Sequence, residues 1–321
     1  MPPPLDMAMI AEARRALEGR VRRTPIEESR ALSEAAGVPV SLKLESQQLT
    51  GSFKIRGAFF RLLALSPEER RSGVVTCSAG NHGKAVAYVA RELGVPATIY
   101  VPRSVDESKY RGIVALGADA VRSDFDGFDE TETLAREAAA RSGRPYVSAY
   151  DDERILAANG GTLAAEVLED APGARTFLLP VGGAGLSGGF AYYAKERLPE
   201  CRIVGCQLAA SPALALSLEK GEAITRLPSV ATTAGGLEGG IGRTGFGVLK
   251  SRLDAVALLT EEDIFGAVRF MLAEHQTLIE PSSAVTVAAI LTGRSGPLPS
   301  AAVAVISGRN VALSTVKRIL A

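Results

Sequence analysis

TFLLPVGGAGLSGG, Thr176 to Gly189, runs an apolar stretch straight into a glycine-rich turn, and the helix-period segment FAYYAKERL continues from it. Strand, glycine turn and helix in that order make half of a βαβ unit, the building block of a parallel sheet covered by helices. The same order points the free N–H groups of a helix start at whatever lies beyond the strand, so an anion is expected at Gly182–Gly189. Gly183, Gly185 and Gly188 also spell G-x-G-x-x-G, the dinucleotide fingerprint. That fold needs an acidic residue at the end of the next strand, where RIVGCQL ends in Gln207. A single phosphate therefore suits the turn better than NAD, and tight helix–strand packing is the plain structural alternative.

Outward from this unit the pattern repeats. VPVSLKLE, GVVTCSA, ATIYVP, ADAVRSD, PYVSAY, RIVGCQLA and AAVAVISG read as strand-like runs. SFKIRGAFFRLLAL, NHGKAVAYVARELG, DESKYRGIVALG, FDETETLAREAAARSG, EEDIFGAVRFMLAEHQ and PSSAVTVAAILTG read as helices between or after them. The class is α/β throughout, with no internal repeat and no low-complexity linker. Ligands of open parallel sheets sit beyond the carboxyl ends of strands, which directs attention to SAGNHG, PVGGAGLSGG, TAGGLEGGIG and ISGRN.

The 321 residues are 46% hydrophobic, enough for one large domain or two moderate ones. Lysine plus arginine and aspartate plus glutamate balance at 36 each, so no net field recommends nucleic acid or an anionic membrane as partner. Cys77, Cys201 and Cys206 make no disulfide framework, and with His82 and His275 as the two histidines no zinc cluster is expected. The N-terminal stretch lacks a signal peptide's basic start and apolar core, and no window is long enough to span a bilayer; a reducing cytoplasm is the expected location.

GSFKIRGA, Gly51–Ala58, places one lysine between a Gly-Ser approach and an apolar run. Lys54 reads either as a solvated surface cation or as a desolvated amine, lowered in pKa, that forms an imine with an aldehyde cofactor. The octapeptide alone carries both readings.

Together SFKIRGA, SAGNHGKAVAY, PVGGAGLSGG, LIEPSSAVTVAAIL and VISGRNV, in this order and spacing across nearly the whole chain, resemble the fold type II pyridoxal-phosphate enzymes, specifically the serine/threonine dehydratase and serine racemase group. The resemblance implies a tryptophan synthase β-like fold of two open, twisted, mostly parallel sheets flanked by helices, with pyridoxal 5'-phosphate as cofactor. It implies that Lys54 carries the cofactor and then removes the substrate's α-proton, and that Phe53 packs against the pyridine ring, where ordinary core packing is the competing reading. It implies that Asn81 bonds the ring hydroxyl, that Gly182, Gly183, Ala184, Gly185 and Leu186 hold the phosphate with Gly236 nearby, and that Ser307 faces the pyridine nitrogen. A neutral hydroxyl there makes the ring a weaker electron sink, which favours elimination. Ser78, Ala79, Gly80, Asn81 and His82 would hold the substrate carboxylate, although a lone histidine is as often structural. Glu280 also matches a family position, but a carboxylate before a helix-starting proline is equally explained by the helix dipole.

The implied reaction is dehydration and deamination of a β-hydroxy-α-amino acid, L-threonine or L-serine foremost, to a 2-oxo acid and ammonia. Serine racemase is an alternative, weakened because Ala79 stands where racemases place a serine on the second face of the cofactor. The motifs also accommodate a dehydratase of the hydroxyectoine-catabolism type, or one acting on phenylserine or hydroxyaspartate; from a different class, an NAD-dependent oxidoreductase competes. GGLEGGIG, Gly235–Gly242, resembles the hydroxyectoine branch, while AANGGT has an extra residue and SAYDD replaces the usual His-Pro stretch, so the substrate side chain is open.

Further departures bear on metal and regulation. Gln207 and Ala213 occupy the family's cation-binding carboxylate positions, so no metal is expected there. Ala184 replaces a family glycine, which costs little at negative φ, and the turn is expected to work. The chain ends soon after Ser307, so a C-terminal regulatory domain and isoleucine feedback are not expected. A larger domain of residues 1–70 plus 149–321, a smaller inserted one of 71–148, a cofactor in the cleft between them, a small amino-acid substrate and a homodimer complete the reading. Lys84, on the helical stretch after Asn81, is expected to be dispensable.

Overall fold

The computed structural model describes residues 4–321; residues 1–3 of the expected larger domain lie outside them. Nine strands form two sheets among the described residues: β1 (Ile26–Glu28), β2 (Val40–Leu44), β3 (Val74–Cys77), β4 (Ala97–Val101), β5 (Asp119–Arg122), β6 (Thr176–Pro180), β7 (Arg202–Leu208), β8 (Ala255–Leu259) and β9 (Ala302–Ile306). The larger sheet runs β1-β2-β9-β6-β7-β8, parallel except for β1, and the smaller runs β3-β4-β5, all parallel. Every strand of the smaller sheet falls between residues 71 and 148, and every strand of the larger falls outside that span.

Strand periodicity divides β6 between two cores. Phe177 and Leu179 pack on one face with Val303 and Val305 of β9, whereas Leu178 packs on the other with Ala304 and Val204. The first core continues without a break into the smaller sheet through Val74 and Ile99. The second is closed by the helix Pro281–Leu291, whose residues are buried through Ile290 and whose sequence PSSAVTVAAIL carries no charge.

The helix Lys54–Leu63 is anchored by charge as well as by apolar packing. Arg56 is 1% exposed and holds both oxygens of Glu45, with Nε to Oε2 at 2.8 Å and Nη2 to Oε1 at 2.9 Å. Its Nη1 donates to Glu166 Oε1 at 2.6 Å, and Lys43 Nζ donates to Glu166 Oε2 at 2.8 Å. Burial pushes the Glu45 carboxyl up, but Arg56 outweighs it and keeps the group below the ordinary carboxylate range. Two cations and two anions are thus buried as a satisfied set, and they fix the turn of helix that begins with Lys54.

Two stretches depart from the expected elements. PYVSAY is no full strand: Tyr146 makes one bridge to Val75, and Ser148 Oγ then accepts from the N–H groups of Tyr150 at 3.4 Å and Asp151 at 3.0 Å, which bends the chain away. Ala157–Gly161, the AANGG of the unusual stretch, forms a π-helical turn between the helices Glu153–Leu156 and Thr162–Asp170. Its Gly160 lies against the Leu186 carbonyl, where a methyl group would collide, so this wide turn buttresses the glycine loop.

Candidate active site

The carboxyl ends of β6 and β9 are neighbours, and so are the loops that follow them. After β6, the N–H groups of Gly182, Gly183, Ala184, Gly185 and Leu186 have no acceptor among the described residues, and the helix Ser187–Arg197 begins without a side-chain cap. Consecutive unpaired N–H groups at a helix start form a concave anion seat. The Ser187 hydroxyl, buried beside this seat, has no hydrogen-bond partner among the described residues. The turn is packed so closely that it admits no side chains: a methyl at Gly182 would collide with the Gly236 carbonyl, and one at Gly183 with the Tyr150 ring. Ser282 Oγ accepts from Gly236 N at 2.9 Å and fixes the loop opposite.

Ala184 sits in this turn at φ +67°. The expectation that its side chain is nearly free of cost holds for negative φ alone; here the residue adopts the left-handed conformation, which burdens a β-carbon by about 1 kcal/mol.

Lys54 begins its helix beyond the next wall of the cleft. Its Nζ donates to the Ala149 carbonyl at 2.6 Å and lies 5.1 Å from the centroid of the Phe53 ring. Burial lowers the amine to about 8, against a smaller opposing pull from Glu280. Phe53 N donates to Ser307 O at 3.1 Å, which brings the ring beside the β9 loop. Ser307 Oγ is 2.9 Å from Ser283 Oγ, itself bonded to Gly308 N at 2.6 Å.

A third side of the cleft is the start of the helix Asn81–Leu93, whose N-cap, Gly80, provides no side-chain cap. Ser78 Oγ accepts from Gly80 N at 3.1 Å, and Ala79 and Asn81 are partly exposed beside it. Asn81 Nδ2 donates to Glu280 Oε1 at 2.7 Å, and Asn81 Oδ1 accepts from Asn310 Nδ2 at 2.7 Å. His82 turns away from the cleft: its Nε2 lies 3.0 Å from Thr76 Oγ1 and 3.2 Å from the Val147 carbonyl. Burial, with the Lys54 cation, lowers it to about 3, so the ring is neutral and serves as a wedge between β3 and the Val147 segment.

Two further residues join the site, Glu280, for which the sequence offers a helix-dipole role as well, and Lys84. Glu280 does not cap its helix; its Oε2 accepts from Asn310 N at 3.0 Å, and burial raises the carboxyl to about 7 against the hydrogen bonds from Asn81 and Asn310. Lys84 Nζ donates to Asn310 Oδ1 at 2.9 Å, which joins this side chain, expected to be dispensable for turnover, to the hydrogen bonds of the site. The signal was present: Lys84 follows Asn81 by three residues and shares its helix face.

Gln207 Oε1 accepts from Leu214 N at 3.1 Å and Ala215 N at 3.4 Å, where a neutral amide holds the start of the helix Ala213–Lys220. Among the described residues no group of three His, Cys, Asp or Glu side chains could hold a metal ion.

The arrangement joins an anion seat, a desolvated amine poised near neutrality, an aromatic face and an uncapped helix start around one cleft. The family model described as "Pyridoxal-phosphate dependent enzyme" matches residues 17–308. L-threonine ammonia-lyase of Geobacter sulfurreducens is 36% identical over 315 residues, covering 97% of this chain and 77% of that protein. The catabolic L-threonine dehydratase of Escherichia coli is 32% identical over 321 residues, covering 98% of this chain and 96% of that protein. Maize serine racemase superposes with a TM-score of 0.91 at 30% identity, over 99% of this chain and 97% of that one.

Proposed function

The chain belongs to the pyridoxal-phosphate dependent enzyme family, whose model and relatives match it over nearly its full length, and we propose that within this family it is an ammonia-lyase. It eliminates water from a β-hydroxy-α-amino acid, L-threonine or L-serine, and the released enamine takes up water as it loses ammonia, leaving a 2-oxo acid. The threonine ammonia-lyase and dehydratase relatives support this substrate class.

The residues present fit the cofactor. Five unpaired backbone N–H groups and the orphaned Ser187 hydroxyl suit a phosphate, and the enclosed Lys54 amine suits an aldehyde. Gly182–Leu186 would hold the phosphate, with Gly236 closing the seat. Phe53 would lie against the ring and Ser307 at its nitrogen, while Asn81 Nδ2 keeps one N–H free of Glu280 for the ring hydroxyl. When bound, pyridoxal phosphate supplies an electron-withdrawing ring that spreads the negative charge left at the substrate's α-carbon.

This chain's own residues do the rest. The free N–H groups of Ala79 and Asn81, with Ser78, receive the substrate carboxylate at a positive helix end. Lys54 Nζ, neutral in a substantial fraction of molecules near pH 8, takes the α-proton, and Ala149 O orients the nitrogen for it. Ala79, which matches the position where racemases of the group carry a serine, has no proton to give, so the base would have no opposing acid and elimination is favoured over racemisation. The observation that carries this reading is the Lys54 amine, desolvated and bonded to Ala149 O beside the anion seat.

The two-domain division at residues 71 and 148 belongs to the same proposal, supported by strand membership in the two sheets. So do the homodimer and the cytoplasmic location; the latter is supported by three buried, unpaired cysteines. No helix among the described residues is long and apolar enough to cross a membrane.

The test is 2-oxo acid and ammonia formation across a panel of L- and D-serine, L- and D-threonine, phenylserine and hydroxyaspartate. Release from L-threonine or L-serine is expected. Racemisation of serine without release of ammonia, or NAD reduction in its place, overturns the reading.

A further inference from the structure

SAYDD, Ser148–Asp152, departs from the family pattern, and the structure ties the Ala149–Tyr150 pair to the site by two contacts, one from each residue. Ala149 gives its carbonyl to Lys54 Nζ at 2.6 Å. The Tyr150 ring lies over Gly183, and a methyl at Gly185 would come within 2.9 Å of Tyr150 Cα. The pair thus bridges the proton-carrying amine and the anion seat. Among the described residues the Tyr150 hydroxyl has no hydrogen-bond partner, although the side chain is partly buried. Two other tyrosines near the smaller sheet are satisfied by the protein, Tyr110 through the Ala120 carbonyl and Tyr146 through Glu132.

We propose that Tyr150 is a specificity-determining residue whose phenol donates a hydrogen bond to the oxygen on the substrate's β-carbon. A substrate whose α-proton meets Lys54 Nζ carries its β-carbon one bond from the reacting carbon, and the segment that meets this amine through Ala149 continues directly into Tyr150. The phenol is a dependable donor: burial, with the carboxylates of Glu132 and Asp151, pushes it up to about 12, so it keeps its proton throughout the working range. The bond orients the leaving oxygen and moves no proton from the phenol. A site that hydrogen-bonds a substrate hydroxyl discriminates against analogues that lack it, because the buried donor is then left unpaired.

This inference rests on the ammonia-lyase reading, and one pair of measurements separates the two. In holoenzyme carrying Tyr150→Phe, kcat/KM for L-threonine is expected to fall about tenfold, the scale of one neutral hydrogen bond. Binding of L-2-aminobutyrate, the same skeleton without the β-hydroxyl, followed by the change in visible absorbance, is expected to stay within about twofold. Parallel loss for both ligands, or loss for neither, overturns the proposal, because Tyr150 would then be a wall or irrelevant to the oxygen. Wild-type enzyme inert toward every β-hydroxy amino acid overturns the ammonia-lyase reading itself, and the Tyr150 assignment with it.

Discussion

Lys84 Nζ stands 2.9 Å from Asn310 Oδ1, a cation on the helix after β3 bonded to an amide on the loop after β9. The bond continues through Asn310 Nδ2 to Asn81 Oδ1, and from Asn81 Nδ2 to Glu280, so one ammonium helps to set the orientation of two amides and a carboxylate. Burial, with Arg309, lowers the half-buried Lys84 amine from its ordinary value. Lys84→Ala is therefore expected to weaken cofactor affinity about tenfold, the scale of a charge-assisted hydrogen bond, with Lys84→Gln recovering most of it. Fluorescence titration of the apo-protein with pyridoxal phosphate measures this; an unchanged dissociation constant in the alanine variant refutes it.

Ala184→Gly is expected to leave activity intact and to raise stability by up to about 1 kcal/mol. It relieves a β-carbon held at φ +67°, less the entropy that glycine restores to the unfolded chain. A melting temperature that falls by several degrees would show that the Ala184 methyl, packed opposite Gly245, contributes more than its strain costs.

Gln207 holds the start of the helix Ala213–Lys220 by hydrogen bonding, since its Oε1 accepts from two N–H groups there. Treatment with a chelator, and addition of millimolar Mg²⁺ or Ca²⁺, should leave both turnover and melting temperature unchanged. A stabilisation of several degrees by either ion would reveal a site that these residues do not predict.

The lowered Lys54 amine fixes a pH dependence. An amine must be neutral to attack an aldehyde, so the rate of pyridoxal phosphate incorporation into apo-protein should rise with pH and level off above about 8. A rise centred near the ordinary lysine value of 10.5 would show that burial does not act on this nitrogen.

Much of the frame was legible in the chain. The strand, glycine turn and helix at 176–197 and the lysine of GSFKIRGA are local patterns, and local patterns survive into structure. What escaped notice depends on distant partners or on backbone angles. Glu280 had an adequate local explanation as a helix-start carboxylate, and its role rests on Asn81, 199 residues away in sequence. The sign of φ at Ala184 is set by how the turn packs against Gly245 and Tyr150, which composition does not express. PYVSAY carried a β-like composition, but past the bridge at Tyr146 the Ser148 hydroxyl takes the N–H groups of Tyr150 and Asp151. The π-turn at Ala157–Gly161 follows from close approach to the Leu186 carbonyl, a tertiary cause without a periodicity.

The central assignment is that the nitrogen of Lys54 carries the cofactor. Borohydride reduction of the cofactor-loaded protein, followed by proteolysis and mass spectrometry, reads this directly. The pyridoxyl-phosphate mass should fall on the peptide containing Lys54 and vanish in Lys54→Ala, which should also lose turnover. Label on Lys84 or any other lysine, or none on Lys54, contradicts the account.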